Sequence, residues 1–181
     1  MAMFKKIGLA LAASFAILFI VIALRPDDFR IERSTSIAAS APVVYGIVSD
    51  LHAWDAWSPW SKLDPDMNKS WSGPAHGKGA SYAWEGNQQV GKGKMSIRDV
   101  RENEQVDMDL HFIAPFEANN DVRFVITPEA QGVKVSWAMT GKNGFMSKAF
   151  GLFMDVDAMV GKDFEKGLAE LKRLAEARAS R

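Results

Sequence analysis

The first pattern along the chain is an unbroken one. Ile7 to Leu24 is a run of eighteen residues without a charge, which as a helix spans about 27 Å, close to a bilayer's hydrocarbon thickness. Eleven of the eighteen are Leu, Ile, Phe or Val, so insertion is favoured by about 3 to 6 kcal/mol. The rival reading, a cleaved signal peptide, fits less well: the run exceeds the usual apolar region of one, and Ile22-Ala23-Leu24-Arg25-Pro26 has no small-x-small site. The expectation is a tail at 1–6, an uncleaved anchor at 7–24 and a linker at 25–28, where Pro26 and two carboxylates end the helix.

Beyond it the periods change. Phe29, Ile31 and Ile37 alternate with polar residues as in a strand. Ser40 and Pro42 then suit the start of a short helix, with Val43, Val44, Ile47, Val48 and Leu51 on one face. Trp54 to Trp71 holds four of the six tryptophans with Pro59 and Pro65; it is too broken for regular structure and too apolar for a solvated loop, and is expected to pack across an opening. Five alternating runs follow: Ala80, Tyr82, Trp84; Met95, Ile97; Val106, Met108, Leu110, Phe112; Val122, Phe124, Ile126; Val133, Val135, Trp137, Met139. Gly86-Asn87, Glu102-Asn103, Ala118-Asn119 and Gln131-Gly132 fall between them as turns, which predicts a meander of hairpins. Phe153, Val160, Phe164, Leu168, Leu171 and Leu174 recur at helical spacing from about Met154. A long helix closing the sheet is expected there, its Gly161 and Gly167 marking close approach to the sheet or to a bound molecule. One domain at 29–175, with a tail at 176–181, accounts for the rest.

Charge and composition narrow the function. Lys plus Arg and Asp plus Glu both number 22, so there is no basic field for nucleic acid. With no cysteine, disulfides, thiolate zinc sites and Cys nucleophiles are excluded. His52, His76 and His111 lie far apart with no ligand-spaced partner, so no metal is expected. Gly86 to Lys92 has phosphate-loop spacing, but Gly93 replaces the magnesium-binding hydroxyl and a strand follows instead of a helix. Asp50, His52 and Asp55 read as capping and loop polarity more readily than as a general-base pair, and Asp64-Pro65-Asp66 as a surface turn. Asp155 and Asp157 suit the amino end of the last helix. No catalytic residue and no cofactor is assigned.

The residues Ile37-Ala-Ala-Ser-Ala-Pro42-Val43-Val44-Tyr45, Asp50…Trp54…Trp57-Ser58-Pro59-Trp60, Gly91-Lys92-Gly93, Pro115-Phe116 and Met159-Val160-Gly161…Phe164…Gly167-Leu168 resemble the START-related SRPBCC superfamily, most of all its bacterial polyketide cyclase/dehydrase-like members. The resemblance runs from about Phe29 to Leu174. It implies an α+β helix-grip fold, a curved antiparallel sheet of six to seven strands wrapped on the carboxyl-terminal helix, with an apolar cavity between them. Lipid carriers, receptors, cyclases, hydrolases and chaperone activators share that fold, so the fold alone does not choose a function.

Residues suited to line such a cavity are Trp84, Met95, Met108, Leu110, Phe112, Phe124, Trp137, Met139, Phe153, Val160 and Phe164, with Trp54, Trp57 and Trp60 at its rim. The plainer alternative is that they only fill the core. The leading expectation is a membrane-anchored binding or transfer module for a lipid or other apolar small molecule. The alternatives are an enzyme of the cyclase/dehydrase type on a hydrophobic substrate, or a ligand-free protein-interaction module. Positive charges flank the anchor almost evenly; a cytoplasmic amino-terminal tail and an extracytoplasmic, periplasmic domain are expected. Gly8, Ala12 and Ala16 form a small-residue stripe through which weak self-association is expected.

Overall fold

A computed structural model describes residues 2–180. Helix α1 (Ala2–Ala23) is exposed along nearly its whole length. Its segment Phe4–Ala23 is long and apolar enough to cross a membrane. The helix takes in residues 2–6 of the expected tail, because Lys5 and Lys6 are good helix formers. The chain then runs through β1 (Asp28–Ile37), α2 (Ala41–Val48) and two short 3-10 turns (Ala53–Ala56, Trp60–Lys62). Six strands follow: β2 (Asn68–Ser72), β3 (Ser81–Glu85), β4 (Lys92–Arg101), β5 (Gln105–Ala114), β6 (Ala118–Glu129) and β7 (Gly132–Lys142). Helix α3 (Phe145–Phe150) and the long α4 (Val156–Ala179) complete it.

The seven strands form one sheet in the order β1-β7-β6-β5-β4-β3-β2, each neighbouring pair antiparallel. The expected meander is therefore present, with β1 added beside β7. Alternation places Val122, Phe124 and Ile126, and Val133, Val135, Trp137 and Met139, on the face that α4 covers. The β4–β5 register shifts between Ile97 and Asp99, an irregularity of the kind that bends a strand and helps a sheet to curve.

Three local readings are corrected. Asn68–Ser72, left irregular by the sequence pattern, is an edge strand; it is almost wholly exposed, so it carries no apolar alternation to read. Ala118 and Asn119 are not a turn but the start of β6, opposite Phe112 and His111, and Pro115 to Glu117 make the turn. Helix α4 reaches Ala179 and so includes most of the expected tail.

Two devices fix α4. Asp155 caps it, accepting from the Ala158 amide at 2.9 Å, whereas Ser40 stands at the cap of α2 without a side-chain bond. On its flank the Arg33 guanidinium of β1 donates to Asp157 Oδ2 at 2.8 Å and Glu165 Oε1 at 3.0 Å. Gly161 and Gly167 are both close-approach positions: an added Cβ would lie 2.0 Å from Arg33 Nη2 at the first and 2.8 Å from the Trp137 ring at the second.

Candidate functional site

The domain has two unlike ends. At the far end, under α2, Ile37, Val44, Ile47, Val106, Val135 and Leu171 are completely or almost completely buried. The near end is the one α1 leaves, where β1 and β6 start and β5 and β7 finish. There the layers part, leaving a cavity of about 260 Å³.

Its floor is the sheet, with Trp84 of β3, Met95 of β4, Leu110 and Phe112 of β5, and Trp137 and Met139 of β7. Val160 and Phe164 of α4 form the roof, and Trp54 and Trp60 of the loop close one side. The strand and helix residues among these were singled out by alternation and helical spacing, and Trp54 and Trp60 by the tryptophan-rich loop that carries them. Gly93 lets the wall stay thin: an added Cβ would lie 2.4 Å from the Trp84 ring, so the indole lies directly over the β4 backbone.

Four expected residues are placed elsewhere. Met108 and Phe124 have the right face but are fully buried, outside the cavity. Trp57, expected at the rim, is fully buried against Trp54, Phe124 and Trp137, with ring centroids 4.7, 6.0 and 5.5 Å away; the tryptophan loop thus fills the middle of the domain as well as bordering the opening. Phe153 is 83% exposed. It precedes the Asp155 cap, so the helical phase that would turn it inward has not begun.

The aromatic packing fixes where the cavity stops. The Trp137 ring stacks on Phe164 at 4.2 Å and on Phe124 at 4.9 Å, and Trp60 meets both Trp137 and Phe164 edge-on. The indole nitrogens of Trp57 and Trp137 are buried with no hydrogen-bond partner. Trp54 and Trp84 are satisfied, donating to Val48 O at 2.9 Å and Val90 O at 3.0 Å.

Sequence reasoning did not single out Ser58, Ser61, Met67, Tyr82, Gln89, Val90 and Val122 as lining residues. For Tyr82 and Val122 the signal was present, since they share the alternating face with Trp84 and Phe124; the loop residues have no period to read. Burial, followed by the nearby Asp55 carboxylate, pushes the Tyr82 hydroxyl well above its ordinary pKa of 10.0, so it stays protonated. Beside it Ser61 Oγ donates to Asp55 at 3.0 Å and the Lys69 ammonium bonds the same carboxylate. No carboxylate, imidazole or cationic side chain lines the cavity itself among the described residues. His52 stacks on Trp71 at 4.8 Å, and His111 faces Glu117 at 3.3 Å from the opposite side of β5.

Met139 also lines a second cleft, of about 590 Å³, bordered by β1, α3 and the α3–α4 connection beside the end of α1.

A curved antiparallel sheet gripping a long carboxyl-terminal helix over an apolar cavity defines a helix-grip protein. The chain belongs to the family described as polyketide cyclase/dehydrase and lipid transport, whose model matches residues 28–176. Solved structures show the same fold. A Mesorhizobium loti protein, MLL2253, has a TM-score of 0.60 at 12% identity over 82% of this chain and 98% of its own. The Aha1 protein of Colwellia psychrerythraea scores 0.57 at 15% identity, over 82% and 96%. The di-domain aromatase/cyclase StfQ of the steffimycin pathway scores 0.61 at 10% identity, over 86% of this chain and 53% of its own. Among curated proteins no sequence match is found.

Proposed function

We propose that the protein is a membrane-anchored module that holds a lipid or another apolar small molecule between its sheet and α4. The cavity carries this reading: it is walled by aromatic, Met, Leu and Val side chains, with Ser58, Ser61, Tyr82 and Gln89 as the few polar groups that could orient one end of a guest. Its walls offer water few partners, which favours an apolar guest. The family description includes lipid transport, and α1 supplies an anchor. In this reading the short amino-terminal tail stays in the cytoplasm and the domain lies on the periplasmic side. Gly8, Ala12 and Ala16, exposed along α1, give two copies a surface for weak association.

An enzyme of the cyclase/dehydrase type is the second reading. It has one polar group to build on, the Ser61–Asp55–Lys69 chain next to Tyr82. In it the carboxylate is already held by the ammonium, and the phenol keeps its proton.

The tryptophans that border the cavity report on occupancy. Titrating the detergent-free domain with bromine-labelled fatty acids is expected to quench its fluorescence saturably, and Val122→Phe, which grows a ring into the cavity, is expected to abolish that. Quenching that never saturates, or that Val122→Phe leaves unchanged, contradicts the reading.

A further inference from the structure

Outside the cavity, an apolar surface lies beside the exit of α1. Phe145, Met146 and Phe150 of α3, Phe153 and Met154 of the connection to α4, and Phe116 of the β5–β6 turn are all exposed, Phe153 at 83% and Phe116 at 65%. Phe116 and Phe150 face each other at 6.4 Å, so the turn and the helix form one continuous patch. Such a patch on a protein surface marks a binding face.

Helix α1 indicates what covers it. Phe19 of the apolar span packs on Phe145 at 5.2 Å. Phe19 lies four residues before the helix end at Ala23, about 6 Å back along the axis at 1.5 Å per residue. The twenty residues Phe4–Ala23 give about 30 Å, no more than the hydrocarbon thickness. A span that fills the bilayer therefore carries Phe145 below the surface with it, to the depth of about 5 to 10 Å typical of interfacial helices.

The junction is held rather than loose. The buried Lys148 ammonium of α3 bonds the Asp27 carboxylate and donates to the Ala23 carbonyl at 3.4 Å, where α1 ends. The Asp27 charge is thereby paired, and the Lys148 hydrogen bond and charge hold its carboxyl below the ordinary range, so it stays ionised. Of the other acids nearby, Asp155 caps α4, Asp157 is paired with Arg33, Glu117 faces His111 at 3.3 Å, and Asp28 starts β1 opposite Lys142. Arg25 and Lys142 flank the patch with the sign that suits an anionic headgroup layer.

We propose that α3, the α3–α4 connection and Phe116 lie in the headgroup-to-acyl boundary of the bilayer that α1 crosses, so that the near end of the domain, with the cavity and the cleft that share Met139, is seated on the membrane. The proposal rests on the reading of α1 as an anchor.

The absence of cysteine from the sequence makes the test clean. Single variants F15C, M146C, F153C and E129C of the full chain are labelled with an environment-sensitive fluorophore. They are reconstituted in phosphatidylcholine/phosphatidylglycerol vesicles containing lipids spin-labelled near the headgroup or deep in the acyl chain. Glu129 ends β6, at the opposite end from Phe116. The label at F15C should be quenched most by the deep spin label. Those at M146C and F153C should shift to the blue and be quenched most by the shallow one, with E129C unaffected. Quenching at F15C with M146C and F153C behaving like E129C would overturn the docking face and leave the anchor standing. An unquenched F15C would overturn both.

Discussion

Gly167 sets α4 directly against the aromatic core of the sheet: a Cβ there would lie 2.8 Å from the Trp137 ring and 3.2 Å from Pro59 Cδ. Gly167→Val is expected to lower unfolding stability by about 1–3 kcal/mol through overpacking, read by urea denaturation of the domain. Trp57, fully buried, works the other way. Trp57→Ala should cost about 3–5 kcal/mol by leaving a cavity among the rings of Trp54, Phe124 and Trp137. The Arg33 latch adds a pH dependence. Its hydrogen bond and charge hold Asp157 below the ordinary 3.8. A carboxyl depressed on folding adds stability that is complete above the unfolded pKa and is lost as pH falls through the folded one. Arg33→Gln should therefore lower stability at neutral pH and flatten the loss of stability below about pH 4, as measured by thermal unfolding across pH. The effect is small, because both carboxylates of the latch are more than half exposed.

Legibility varied from element to element with how each is held. The runs from Ala80 to Met139 were readable because one face is buried and the other is not, which makes period two unavoidable. Helix α4 was readable from Val160, Phe164, Leu168 and Leu171, but its start was not: Phe153 continues the spacing while Asp155, two residues later, sets the true beginning. Asp155→Ala should remove the bond to Ala158 and cost about 1 kcal/mol, with amide exchange rising in the first turn of α4 and not in its middle. The edge strand β2 and helix α3 left no pattern. The first is exposed, with Trp71 as its lone large apolar side chain, and the second is six residues long, too short to show a face and packed against α1. For the cavity, the strand and helix residues were legible and the loop residues were not. Trp57 could not be told from Trp54 and Trp60 without knowing that the loop folds inward.

At the scale of the whole molecule the two halves of the domain divide the work. The far half is a filled core, and the near half is an apolar cavity directed toward the end from which α1 departs. The family match and the solved neighbours account for the fold over residues 28–176. Helix α1 precedes the matched segment and gives the cavity its proposed address. The measurement that bears most directly on the central claim is native mass spectrometry of the domain from Asp27 onward, purified without detergent, beside its Val122→Phe variant, with organic extraction of both. A reproducible apolar adduct on the first, lost or reduced on the second, is the predicted result and names the cargo class. A clean unliganded mass on both, with no thermal shift across a lipid panel, would contradict the account.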